Sequence, residues 1–222
     1  MRPCGMIAAL VAALLVLTAA GCSGSVGTTT SATSATPTSA TSATSTSTSA
    51  ATTLQATVTA DEYDVYSALI ESVYVGGTQP KQIVITPVRT DSPHGVGQAV
   101  GAMESHWPDL GDAVDDFKAK NRTSSVLERR FTISVPYTIV SEQEIASIFS
   151  INATGWGKFY AKYPDARGFL ALSRVGFNQA KDTAVLYTEY QKGLTDGEGD
   201  VVLMKKMDGR WTVELNGTFW VS

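Results

Sequence analysis

From residue 59 onward the chain alternates between two hydrophobic periods. Thr59 followed by Glu62 has the form of a capping box, and Tyr66, Leu69, Ile70 and Val73 then recur on one helical face. A helix is predicted from about Ala60 to Val75, stopped by Gly76-Gly77. Lys81 to Val88 reads as a strand, with Pro87 pointing to an edge position or a strand end, because proline cannot donate to a ladder. The stretch 89–130 holds a Gly-rich loop and one helix near Leu110 to Lys120. Phe131 to Val140 alternates as a strand, and Ser141-Glu142-Gln143-Glu144 opens a short helix to about Ser150. Trp156, Phe159, Tyr160 and Tyr163 share one helix face, which marks them as core rather than as a surface for stacking sugars or peptide.

After Phe169 the period changes to two. Phe169 to Phe177, Thr183 to Tyr190, Val201 to Met207 and Arg210 to Val221 are β-rich runs joined by hairpin-like turns. Asp208-Gly209 is a two-residue turn that sets a register: Lys206 opposite Trp211, Met204 opposite Val213 and Val202 opposite Leu215, as the buried face. Asn216-Gly217 is the expected bulge. Helices first and strands last predict an α+β fold, with N-terminal helices packed on one face of a C-terminal four-stranded antiparallel meander. Cystatin-like and NTF2-like curved sheets, wrapped on a helix, are the analogous architectures.

Residues 1–53 carry neither period. Met6 to Ala20 is an apolar run of 15 residues behind Arg2. At about 1.5 Å per residue it is too short for a hydrocarbon core of about 30 Å, and it reads as the h-region of a signal peptide. It ends in Leu17-Thr18-Ala19-Ala20-Gly21-Cys22, which resembles the lipobox of bacterial lipoproteins, with Ala19 where the commonest form has Leu. The resemblance implies removal of residues 1–21 and acylation of Cys22, palmitate included, so that the mature protein is held at the membrane surface. Cys4 would leave with the leader, and one cysteine makes no disulfide. Ser23 to Thr53 then holds 27 Ser, Thr or Ala in 31 residues. Such a segment buries too little to offset its ordering entropy, and reads as a disordered linker with a mean reach of about 30 Å. Residues 54–222 are the single globular domain.

That domain carries all 21 acidic residues and 16 of the 17 basic ones, a formal charge of 16 − 21 = −5. A weakly acidic, mixed-sign surface excludes nucleic acid as an expected partner, and a polybasic membrane face with it.

Trp156-Gly157-Lys158-Phe159-Tyr160, Tyr163-Pro164, Leu172 to Asn178, Ala184 to Tyr187, Lys205-Lys206 with Asp208-Gly209-Arg210-Trp211, and Trp220-Val221-Ser222 together form a pattern that Glu62 to Ser67 extends. It resembles a family of uncharacterised bacterial secreted and lipid-anchored proteins. The resemblance implies a shared fold and location more than an activity. Paired cysteines that such sequences place before the third strand are replaced here by Leu194 to Asp200.

Candidate chemistry is sparse. Asp196, Glu198 and Asp200 offer hard oxygen ligands for a metal such as Ca²⁺, but their spacing fits no EF-hand and they read as a solvated hairpin loop. Gly95-Val96-Gly97-Gln98-Ala99-Val100-Gly101 has its third glycine one residue late for a dinucleotide fingerprint, and no cofactor is expected. His94 oriented by Asp91 supplies a general base, with Ser92 or Ser173 as nucleophile, yet there is no Gly-x-Ser-x-Gly elbow. Ser173-Arg174 stands in an apolar strand, where alternation buries one of the two; a buried guanidinium requires a carboxylate or several carbonyls, either as a structural polar site or to hold a ligand. The reading is a non-catalytic binding or scaffolding module at the cell envelope, meeting a protein or glycan partner; an extracytoplasmic hydrolase using His94 and Asp91 is the alternative.

Overall fold

The computed structural model describes residues 56–89, 95–150 and 154–222. The leader, Cys22 and the linker lie outside the described residues, as do Asp91, Ser92 and His94.

Helix α1, Ala60–Leu69, opens on the capping box: the Thr59 hydroxyl accepts from the Glu62 amide at 3.4 Å, and the Glu62 carboxylate accepts from the Thr59 amide at 2.8 Å. It runs on as a π-helical segment, Ile70–Val75, in which the Gly76 amide reaches back five residues to the Glu71 carbonyl. A last short turn, α2 (Gly76–Thr78), stops at Gln79, whose φ of 46° is left-handed. The glycine pair is thus inside the helical run, and the stop comes where the backbone itself reverses hand.

The anticipated four-stranded antiparallel meander is corrected to a seven-stranded mixed sheet. Its strands are β2 (Gln82–Pro87), β4 (Tyr137–Ile139), β5 (Ala166–Leu172), β6 (Gly176–Phe177), β7 (Thr183–Gly193), β8 (Asp196–Met207) and β9 (Arg210–Val221). They lie in the order β4-β2-β5-β7-β8-β9, with β6 pairing β7; β4, β2 and β5 are parallel, and the rest antiparallel. A separate two-stranded parallel ladder joins β1 (Ala56–Thr57) to β3 (Ser125–Val126). Pro87 ends β2, which is an interior strand rather than an edge. Ile83 to Pro87 are buried on both faces, so β2 reads as a continuous apolar run, which is what a parallel strand covered on both sides requires.

Helices cover both faces, not one. Against Leu170, Leu172, Leu186, Val202 and Met204 lies α1, joined by Leu127 and Phe131 from the loop before β4. The opposite face carries two helix pairs: α3 (Val96–His106) with α4 (Gly111–Lys120) over Val185, Tyr187 and Leu203, and α5 (Glu142–Phe149) with α6 (Gly155–Lys162) over Val84 and Phe169. Helix α3 occupies what its glycines marked as a loop. Register also departs from expectation. Lys206 faces Trp211 and Met204 faces Val213, but a bulge between Leu203 and Met204 then sets Val202 opposite Asn216, leaving Leu215 46% exposed.

Between β5 and β6 the chain breaks its alternation at Ser173-Arg174-Val175, and all three are buried. Arg174, 5% exposed, meets Glu62, 0% exposed: Nε donates to one carboxylate oxygen at 2.7 Å and a terminal nitrogen to the other at 2.9 Å. The Val175 amide adds a donor to Glu62 at 3.1 Å, and Arg174 also donates to the Thr57 carbonyl at 3.1 Å. Asn121, just past α4, accepts from the Arg174 amide at 2.8 Å and donates to its carbonyl at 3.1 Å. Burial pushes the Glu62 carboxyl up, but the Arg174 guanidinium and the Thr59 and Val175 amides outweigh it and hold it below its ordinary 4.5.

A depressed carboxylate adds stability that is complete above its unfolded pKa and is lost as pH falls through the folded one. Stability is therefore expected to decline from about pH 4.5 downward, and Glu62→Gln, by stranding a buried guanidinium, is expected to cost about 3–5 kcal/mol at neutral pH. Urea denaturation of both proteins across pH 2.5 to 7 checks this; a variant within about 1 kcal/mol of wild type would show the pair to be dispensable.

Candidate functional site

Beside the α5–α6 pair on the second face, a cleft opens over β2, β5 and β7. Alternation sends Phe169 and Ala171 to this side, and pairing aligns Thr86, Ala171 and Glu189 in one row across β2, β5 and β7, with Phe169 and Gln191 in the next. Ala171 is the small residue of the row. No side chain fills the space above it, and a cleft of about 300 Å³ results.

One wall is aromatic. Phe149 of α5 and Trp156 of α6 meet edge to face with centroids 4.9 Å apart, and Trp156 stacks on Phe169 at 5.9 Å and 16°. Ile145 of α5 continues the wall, and Leu194, in the β7–β8 turn, stands 80% exposed at the lip. The polar rim consists of Glu142, the first residue of α5, Glu189 and Gln191 on β7, and exposed Arg89 beyond the end of β2. Both glutamates are half-buried.

Glu189 is aimed by a relay. The Trp220 indole N–H donates to the Tyr187 hydroxyl at 2.7 Å, and that hydroxyl donates to Glu189 Oε1 at 3.1 Å. Burial, then the Glu189 charge, pushes the Tyr187 phenol far above its ordinary 10, so the proton stays on it and the donation stands at any physiological pH. Trp220 reaches Tyr187 because it lies flat against β8 at Gly199, where a Cβ would fall 2.0 Å from the indole nitrogen.

The residues singled out from sequence are placed elsewhere. Asp196, Glu198 and Asp200 do not sit in a loop: β8 begins at Asp196, and the turn shrinks to Leu194-Thr195 because strand pairing with β7 satisfies these backbone groups. On one strand face they are about 7 Å apart along the chain, too far to converge on one ion. Lys192 pairs with Asp196 at 3.1 Å and Glu198 at 3.7 Å. Asp200 is buried, taking one hydrogen bond from Asn216 at 3.3 Å, while its Oδ1 has no partner among the described residues. No group of three His, Cys, Asp or Glu that could hold a metal occurs among the described residues.

Ser173 and Arg174 are both buried and are consumed by structure. The Ser173 hydroxyl accepts from the Tyr187 amide at 2.9 Å and donates to the Arg174 carbonyl at 3.0 Å. His106 is exposed, with Nδ1 2.8 Å from the Ala102 carbonyl. From sequence Glu62 and Glu142 were read only as residues of helix starts, and Glu189 was not singled out. Glu189 did leave a trace, being the one charge within an otherwise uncharged run from Thr183 to Tyr190.

Gly199→Ala is expected to push Trp220 off Tyr187, lowering stability by about 1–3 kcal/mol and shifting tryptophan emission to the red; unchanged emission and melting would show that the indole does not depend on this glycine. Comparison with family models, with curated proteins and with solved structures gives no match for this chain.

Proposed function

We propose that the domain is a binding module for a small ligand with an apolar, ring-sized body, presented outside the cell membrane by a lipid anchor on Cys22 and the Ser/Thr/Ala linker. The observation that carries the reading is the cleft itself: concave, walled by three aromatic rings already packed against one another, and ringed by a few oriented polar groups. Its volume of about 300 Å³ is at the low end for ligand sites. Taking about 30 Å³ for each water-sized group, it accommodates a ligand of roughly ten non-hydrogen atoms.

The chemistry of the rim suits recognition rather than bond breaking. Its carboxylates are held by helix and strand positions beside an apolar wall. The location rests on the leader and lipobox pattern alone.

Ligand-observed NMR with neutral aromatic fragments of this size, 2-phenylethanol first, is expected to show binding to the wild-type domain. Ala171→Leu, which fills the floor, is expected to remove it while the fold melts as before; fragments that bind both proteins alike, or neither, would sink the cleft as a site. For the anchor, cells fed labelled palmitate should incorporate label into the wild-type chain and none into Cys22→Ser, and label that persists in the variant would count against it.

A further inference from the structure

Across β7, β8 and β9 one row of paired residues reads Thr188, Asp200, Thr218. It lies on the α1 face of the sheet, opposite the cleft. Asp200 alternates with Val202 and Met204 of that core, and the hydroxyls of Thr188 and of Tyr74, from the π-helical segment, share a hydrogen bond of 2.8 Å. We infer that this row binds an alkali cation, Na⁺ or K⁺, with Asp200 Oδ1 as the anionic ligand and the threonine hydroxyls beside it as neutral ones.

Asp200 itself carries the inference. It is 4% exposed, and of its two oxygens only Oδ2 is met, by the Asn216 side-chain amide at a long 3.3 Å; Oδ1 has no hydrogen-bond partner. At Glu62 the same fold meets both oxygens of a buried carboxylate. A carboxylate withdrawn from water on a single hydrogen bond is costly, and what it lacks is positive charge at Oδ1. Charge then selects the class. Glu198, about 7 Å along the same strand face, already pairs with Lys192 at 3.7 Å, whereas Asp200 makes no ion pair among the described residues. One monovalent cation cancels the remaining charge. A divalent ion would leave a buried positive charge, and would find one carboxylate where calcium takes six to eight oxygens. Hydroxyl and carboxylate oxygens are the hard ligands that alkali ions share, and directly opposed residues hold their Cβ atoms about 4.5–5.5 Å apart, close enough for one ion to bridge. Asn216 and Thr218 are exposed on the outer strand, so an ion reaches Asp200 across β9.

Urea denaturation of the full chain at pH 7, in about 100 mM NaCl, KCl or choline chloride, tests the site. Choline matches the ionic strength and is too bulky to reach a buried oxygen. Wild type is expected to be more stable in NaCl and KCl: a site half filled at about 10 mM lowers the unfolding constant about tenfold at 100 mM. Asp200→Asn keeps the shape and should lose the difference, while in choline it should be at least as stable as wild type, an unpaired buried charge having been removed. Asp165→Asn deletes an exposed carboxylate just before β5 and should keep the difference. The ²³Na resonance, read on the wild-type chain without any variant, should broaden in its presence and sharpen again on adding KCl. Equal stability of wild type in the three salts, as a bound water or a protonated Asp200 would give, overturns the inference. So does a salt difference that survives Asp200→Asn, an unbroadened ²³Na line, or stronger protection by millimolar Ca²⁺ than by Na⁺.

Discussion

The Glu62–Arg174 pair is the constraint on which the rest of the fold turns. Two charges taken out of water are costly, and their attraction offsets that cost only when the remaining lone pairs and protons are met. Here they are met: one Glu62 oxygen receives Arg174 and the Val175 amide, and the other receives Arg174 together with the amide and hydroxyl of Thr59. Such a pair adds little net stability over apolar residues of like volume. What it specifies is geometry. Glu62 fixes the start of α1 through its capping box and the break between β5 and β6 through Arg174, so one side chain sets a helix against a sheet.

The break then carries order into the second face. Ser173 exchanges hydrogen bonds with Tyr187: its amide donates to the Tyr187 carbonyl at 3.0 Å and its hydroxyl accepts from the Tyr187 amide at 2.9 Å. Tyr66 of α1 donates to the Ser173 carbonyl at 2.6 Å, and Lys120 of α4 donates to the Val175 carbonyl at 3.0 Å. The three-residue interruption is therefore held from both sides of the sheet. Because Tyr187 is pinned at its backbone here, its hydroxyl has a defined reach, and Glu189 two residues on takes its direction from it. Glu62 on one face and a carboxylate in a cleft on the other are linked through Arg174, Ser173 and Tyr187.

Much of the local structure was legible in sequence for reasons that are local. The Thr59 capping box, the Asp208-Gly209 turn and the aromatic spacing from Trp156 to Tyr163 depend on neighbours a few residues away. The sheet order was not legible, because parallel pairing of β2 with β4 and β5 joins segments far apart in the chain, and nothing in Gln82–Pro87 names its neighbours. Helix α3 was hidden by Gly97 and Gly101, whose low propensity is overridden by burial of Ala99 and Met103 against the sheet. A bulge in β9 was expected at Asn216-Gly217, but the two register shifts fall on either side of it, at Glu214 and Phe219, since register is decided by which side chains the core accepts as well as by turn residues. Arg174 advertised its need for a partner, while Glu62 gave no sign of being it: its role in the cap was sufficient reason for its presence.

The cleft follows from one side chain and two fixed helices. Helix α4 is drawn hard onto β6, where a Cβ on Gly176 would lie 2.2 Å from the Ala113 carbonyl, so the α3–α4 pair is anchored toward that end of the sheet. At the other end, Gly155 lets α6 approach the Phe149 ring, a Cβ there falling 2.5 Å from it, and the α5–α6 pair settles over Val84 and Phe169. The Gly176 approach ties α4 to the sheet, and the Gly155 approach ties α5 and α6 to each other. The strand presents Ala171 at that point, with Phe169 before it and Ser173 turned to Tyr187 after it. Interiors pack to high density wherever side chains can reach, so a gap of this size beside three aromatic rings marks the place where the β5 side chain, Ala171, is too short to fill it.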